Sequence, residues 1–66
     1  MTDEQKARIL KLADALRTVA APAGAKHRFM ATVDDMEAFA DGRKTYVKRA
    51  AEEWIKYAEQ LLDGRS

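Results

Sequence analysis

The charged side chains of this chain are sorted into blocks, and those blocks are the first candidates for chemistry. Between Phe29 and Gly42 there is no basic residue, but there are four acidic ones, Asp34, Asp35, Glu37 and Asp41. Arg43, Lys44, Lys48 and Arg49 then follow with no acid among them, so the sign of the charge reverses across one glycine. The blocks can pair with each other across the turn, where exposed ion pairs contribute only about 0–1 kcal/mol. Alternatively, the basic block is presented to an anionic surface on another molecule. Asp34, Glu37 and Asp41 share one helical face, but nothing in the chain has the dense oxygen spacing of a calcium loop. A basic protein surface is the better match for that face.

Catalytic constellations are missing. The sequence has no cysteine, and its single histidine, His27, lies between Lys26 and Arg28 with no serine or carboxylate nearby. There is no glycine-rich phosphate loop and no metal-ligand pair. The reading is a non-enzymatic chain with no cofactor and no metal, in which His27 is an exposed polar residue at a helix start.

Apolar periodicity defines the elements that must hold these groups. At about 100° per residue, Ile9, Leu12, Ala13, Leu16, Val19 and Ala20 fall on one face of a first helix, about residues 3–20. Thr2 and Gln5 have the spacing of a capping box, and Asp3 and Glu4 suit the positive helix end. Pro22 and Gly24 break the chain there. Phe29, Val33, Met36 and Ala40 form the stripe of a second helix, about 26–40, widened by Met30 and Phe39. A third helix is expected over about 43–63, capped by Asp41 or Thr45, with Val47, Ala50, Ala51, Trp54, Tyr57, Ala58 and Leu61 on its apolar face. Its start places Arg43 and Lys44 at the positive end of the helix dipole, a local rule broken without visible gain. Gly64 would follow its last turn, with Arg65 and Ser66 as a frayed tail.

These helices predict an all-α fold, a compact three-helix bundle with short connections, forming a single helical domain over residues 1–66. The third helix, with the only tryptophan and both tyrosines, is expected to organise the core, and the second to touch both others. A chain of 66 residues is near the lower limit for folding without disulfides or metals. Completion of the bundle by a homodimer is therefore weighed against a closed monomer. Leu10, Ile55 and Leu62 exceed a minimal core; they either close its seams or form a surface for a partner.

No apolar run approaches the ~20 residues of a membrane span, and Met1–Gln5 lacks the character of a signal peptide. With no cysteine present, a cytoplasmic location is expected. Alanine-rich helices of this kind are a compositional feature of bacteria with GC-rich genomes and of their phages, the expected source.

The net charge is only +1 and the charged fraction 35%, so any preference for anions must be local. Val19, Ala20, Gly24, Met30 and Val33 resemble the apolar and glycine pattern of the helix-turn-helix family over about a third of the chain. That resemblance implies a DNA-binding regulator in which Lys26, His27, Arg28 and Thr32 face the major groove. Pro22 inside the turn departs from the pattern, and phosphate would repel Asp34 and Asp35. A second nucleic-acid reading uses Arg43–Arg49.

The leading expectation is a small protein-interaction module, acting as an inhibitor or adaptor by occupying a surface on a partner protein. Tyr46, Ile55, Tyr57 and Leu62 would anchor it, Tyr57 being equally suited to the core, and Arg43, Lys44, Lys48 and Arg49 would steer it.

Overall fold

The computed structural model describes residues 1–64 and contains three α-helices: α1 (Asp3–Ala20), α2 (Phe29–Ala40) and α3 (Ala51–Asp63), with a short 3₁₀ turn at Gly24–Lys26. The expected tail, Arg65 and Ser66, lies outside the described residues. The helices pack into a three-helix bundle. Its radius of gyration, 11.1 Å, is close to the roughly 11 Å expected of a compact chain of this length.

The start of α1 follows from its side chains. Gln5 N–H donates to Thr2 Oγ1 at 3.0 Å, and Thr2 N–H donates to Gln5 Oε1 at 2.9 Å, the reciprocal pair of a capping box. At its end, Ala23 and Gly24 N–H donate back to the Ala20 and Ala21 carbonyls, and Gly24 takes φ +64° to turn the chain toward α2.

The start of α2 depends on His27. Its backbone is extended (φ −70°, ψ 139°), its carbonyl accepts from Met30 N–H, and its Nδ1 accepts from Phe29 N–H at 3.1 Å. The imidazole also packs edge-on against the Phe29 ring, 4.7 Å between centroids. His27 is thus a half-buried helix cap, where the sequence suggested an exposed polar residue. With the chain extended at His27, α2 begins at Phe29 rather than near residue 26.

Gly42 closes α2. It adopts φ +77°; its N–H donates to the Phe39 carbonyl and the Arg43 N–H donates to the Ala38 carbonyl at 2.8 Å. This is the paired bonding of a Schellman stop, and Asp41 belongs to it instead of capping a third helix.

The third helix starts later than its apolar spacing predicts, at Ala51 instead of near 43, and residues 43–50 are irregular. Electrostatics accounts for the difference. A start at Arg43 would place Arg43 and Lys44 on a positive helix end, with Lys44 and Lys48 repelling each other at helical spacing. A start at Ala51 places Glu52 and Glu53 there instead. Neither Asp41 nor Thr45 caps α3; its first residue follows Ala50, which has no side-chain acceptor. Gly64 does follow the last turn, in an ordinary right-handed conformation.

The buried core contains Ile9, Leu12, Ala13, Leu16 and Ala20 from α1, Phe29, Val33, Met36 and Ala40 from α2, and Ala51, Trp54 and Ala58 from α3. The periodicity located these residues, but Val47 and Ala50 of the same stripe are exposed, Val47 at 41%, because α3 does not extend back to them. The organising element is α1, which packs along both other helices, whereas the backbones of α2 and α3 hardly approach each other. Side chains fill that gap, with the Phe39 and Trp54 rings 6.2 Å apart. Ile55 and Leu62 are half-buried against the core, closing its seams, while Leu10 remains exposed.

Candidate functional site

The loop between α2 and α3 is the most distinctive surface of the molecule. Ten residues without regular structure are long for a connection in a bundle this small, and such loops are where binding groups concentrate. Tyr46, at its tip, is 99% exposed, and Val47 beside it is also exposed. One internal contact shapes the tip: Thr45 Oγ1 donates to the Val47 carbonyl at 2.8 Å.

Cations flank this tip along the chain. Arg43, Lys44, Lys48 and Arg49 line one shallow hollow of about 420 Å³, together with Phe39, Thr45 and Ala50, and no acidic side chain lines it. The expected pairing of the two charge blocks is limited to Arg43 with Asp41, at 3.3 Å. Glu37 instead pairs with Arg17 on α1, and Arg8 pairs with Glu59 at 2.8 Å. Among the described residues, Lys44, Lys48 and Arg49 have no carboxylate partner.

Arg49 is held by aromatic faces. Its guanidinium carbon lies 4.0 Å from the Tyr57 ring centroid and 4.9 Å from that of Trp54. Cation–π attraction orients the side chain. The sequence contained a signal for this clamp: Trp54 and Tyr57 are three residues apart, hence on one helical face, with Arg49 five residues before Trp54. Trp54 is buried below Arg49, and its Nε1 has no hydrogen-bond partner among the described residues.

The candidate partner-binding residues divide into two groups. Arg43, Lys44, Tyr46, Lys48 and Arg49 come together on the loop. Ile55 and Leu62 lie along α3 against the core, Ile55 also lining a separate hollow with Gln5, Glu52, Glu53, Lys56 and Glu59. Of the residues of the helix-turn-helix reading, Arg28 and Thr32 line one hollow with Phe29, Tyr57 and Leu61. Lys26 ends the 3₁₀ turn, His27 caps α2, Arg28 covers the Phe29 ring at 5.2 Å, and Thr32 is half-buried. Lys26–Arg28 precede α2 rather than riding on its first turn.

Among the described residues, no group of three His, Cys, Asp or Glu side chains is placed to hold a metal ion. No helix among the described residues is long and apolar enough to cross a membrane. Fold and site together define an all-helical bundle that presents one irregular basic loop with an aromatic tip. No family model, curated protein or solved structure matches the chain.

Proposed function

We propose that this chain is a small, non-enzymatic protein-interaction module that acts as an inhibitor or adaptor by occupying a surface on a partner protein. The observation that carries this reading is the near-complete exposure of Tyr46 on the same loop whose Arg43, Lys44, Lys48 and Arg49 line one hollow. A free tyrosine offers large amphipathic contact area at low side-chain entropy cost, and tyrosine and arginine dominate interface hot spots. The surrounding cations raise the encounter rate and set orientation. The bundle acts as a cytoplasmic monomer, with Ile55 and Leu62 packed against its own core.

The test is retention from a soluble extract of the source cells by the immobilised chain, compared with the Tyr46→Ala chain. Proteins retained by the first, released by moderate salt and lost with the second are expected, with helicity equal in both. Equal retention by Tyr46→Ala would sink the assignment. So would a random-sequence DNA duplex that binds the chain more tightly than any retained protein, since that outcome assigns the basic loop to phosphate.

A further inference from the structure

We infer that the partner reads this loop with carboxylates: a short acidic segment lays its side chains into the hollow formed by Arg43, Lys44, Lys48 and Arg49. This inference rests on the interaction-module reading and specifies the chemistry of its partner.

Arg49 is the centre of the argument. Tyr57 and Trp54 hold its guanidinium, yet among the described residues it donates no hydrogen bond to any acceptor. A guanidinium held in this way offers its N–H edge as a preorganised fork, the geometry that accepts a carboxylate in two parallel hydrogen bonds. Preorganisation reduces the ordering cost of binding. Arg43 is steadied similarly by Asp41, and Lys44 and Lys48 add uncompensated positive charge to the same hollow.

The limits of the basic surface favour a short acidic peptide over a nucleic-acid strand. The four cations lie within seven residues, bounded by Asp41 on one side and by the exposed Glu52 and Glu53 on the other. A nucleic acid needs a positive track that follows its continuous phosphate backbone. Here such a strand would run onto carboxylates as it left the hollow. A few clustered carboxylates, flanked by an apolar residue to meet Tyr46 and Val47, fit the patch as it is bounded.

The experiment is an NMR titration of the intact chain with an oligoglutamate peptide, an oligothymidylate of equal length and inorganic phosphate. The peptide is expected to shift the backbone amides of residues 43–50 and the indole N–H of Trp54, and to bind more tightly than the oligothymidylate. Arg49→Ala and the double variant Lys44→Glu/Lys48→Glu should each weaken peptide binding about tenfold or more. Arg49→Lys retains charge and stem and guards against a collapsed loop; because it lacks the fork, it should lose most of that affinity. Equal binding by Arg49→Lys, tighter binding of oligothymidylate, shifts produced equally by inorganic phosphate, or no shift with the peptide would each overturn the inference. The two proposals fail separately. Extract proteins lost with Tyr46→Ala but indifferent to Lys44→Glu/Lys48→Glu retain the module and remove the carboxylate reading. Oligoglutamate bound through Arg49, with retention indifferent to Tyr46→Ala, does the reverse.

Discussion

The Arg49 guanidinium stands 4.0 Å from the Tyr57 ring centroid, and this contact ties the end of an irregular loop to the middle of α3. Tyr57 is itself half-buried against the core, so the arginine is stacked on a ring that cannot easily turn away. Trp54, one turn earlier, forms the second wall at 4.9 Å. Removing the clamp should loosen the loop far more than the bundle. In Arg49→Ala, amide exchange at residues 47–50 is expected to accelerate, while the melting midpoint changes by the equivalent of about 1 kcal/mol. Exchange unchanged in the loop would show that the stacking does not hold it.

Trp54 fills the centre of the α3 contribution to the core, yet its indole N–H is buried without a partner among the described residues. An unsatisfied buried donor costs about 1–3 kcal/mol, which offsets part of what the ring contributes. Trp54→Phe removes the donor along with some volume and is expected to cost less than about 2 kcal/mol. Trp54→Ala should cost about 3–5 kcal/mol, a large share of the roughly 3–10 kcal/mol expected for a chain of this size. Urea unfolding followed by far-UV circular dichroism separates the two variants. A Trp54→Phe loss as large as that of Trp54→Ala would show that removing the orphan donor offsets none of the lost ring volume.

Gly42 adopts φ +77° in the Schellman stop of α2, with open space where a Cβ would stand. The penalty for a side chain is therefore conformational rather than steric crowding from neighbours. Gly42→Ala is expected to lower stability by about 1 kcal/mol, and Gly42→Asn by less, because asparagine tolerates the left-handed region. Both are read from thermal melts. A reversed order of the two would contradict the conformational explanation.

Ile55 and Leu62 are half-buried against the molecule's own core, and Leu10 is 38% exposed. Light scattering is expected to return the monomer mass of 7.4 kDa at both low and high protein concentration. A concentration-dependent dimer that Leu10→Lys abolishes would instead place a second copy on that face.

Local rules made much of this molecule readable from residue order. The Thr2–Gln5 capping box, the breaks at Pro22 and Gly42, and the apolar stripes of α1 and α2 each depend on neighbours within a few residues, so spacing was enough to find them. The same pattern led to the wrong start for α3. Val47 and Ala50 keep helical register with Trp54 and Tyr57, but periodicity carries no information about dipoles, and the cations that oppose a helix start at Arg43 are matched by Glu52 and Glu53 at the true one. That shift converts the basic stretch from a helical face into a loop and frees Tyr46 from any helix.

Other features depend on which helices meet. Trp54 and the tyrosines suggested α3 as the centre of the core, yet α1 is central because it alone packs along both neighbours. Arg17 draws Glu37 away from the basic block, leaving Asp41 as the only member of the acidic run paired with it. The partners of Arg8 and Arg17 are 51 and 20 residues away in the chain, a separation over which helical spacing has no reach. Burial of Ile55 and Leu62, exposure of Tyr46 and the hollow shared by four cations likewise arise from how three amphipathic faces close on one another, a cooperative packing outcome that no single segment encodes.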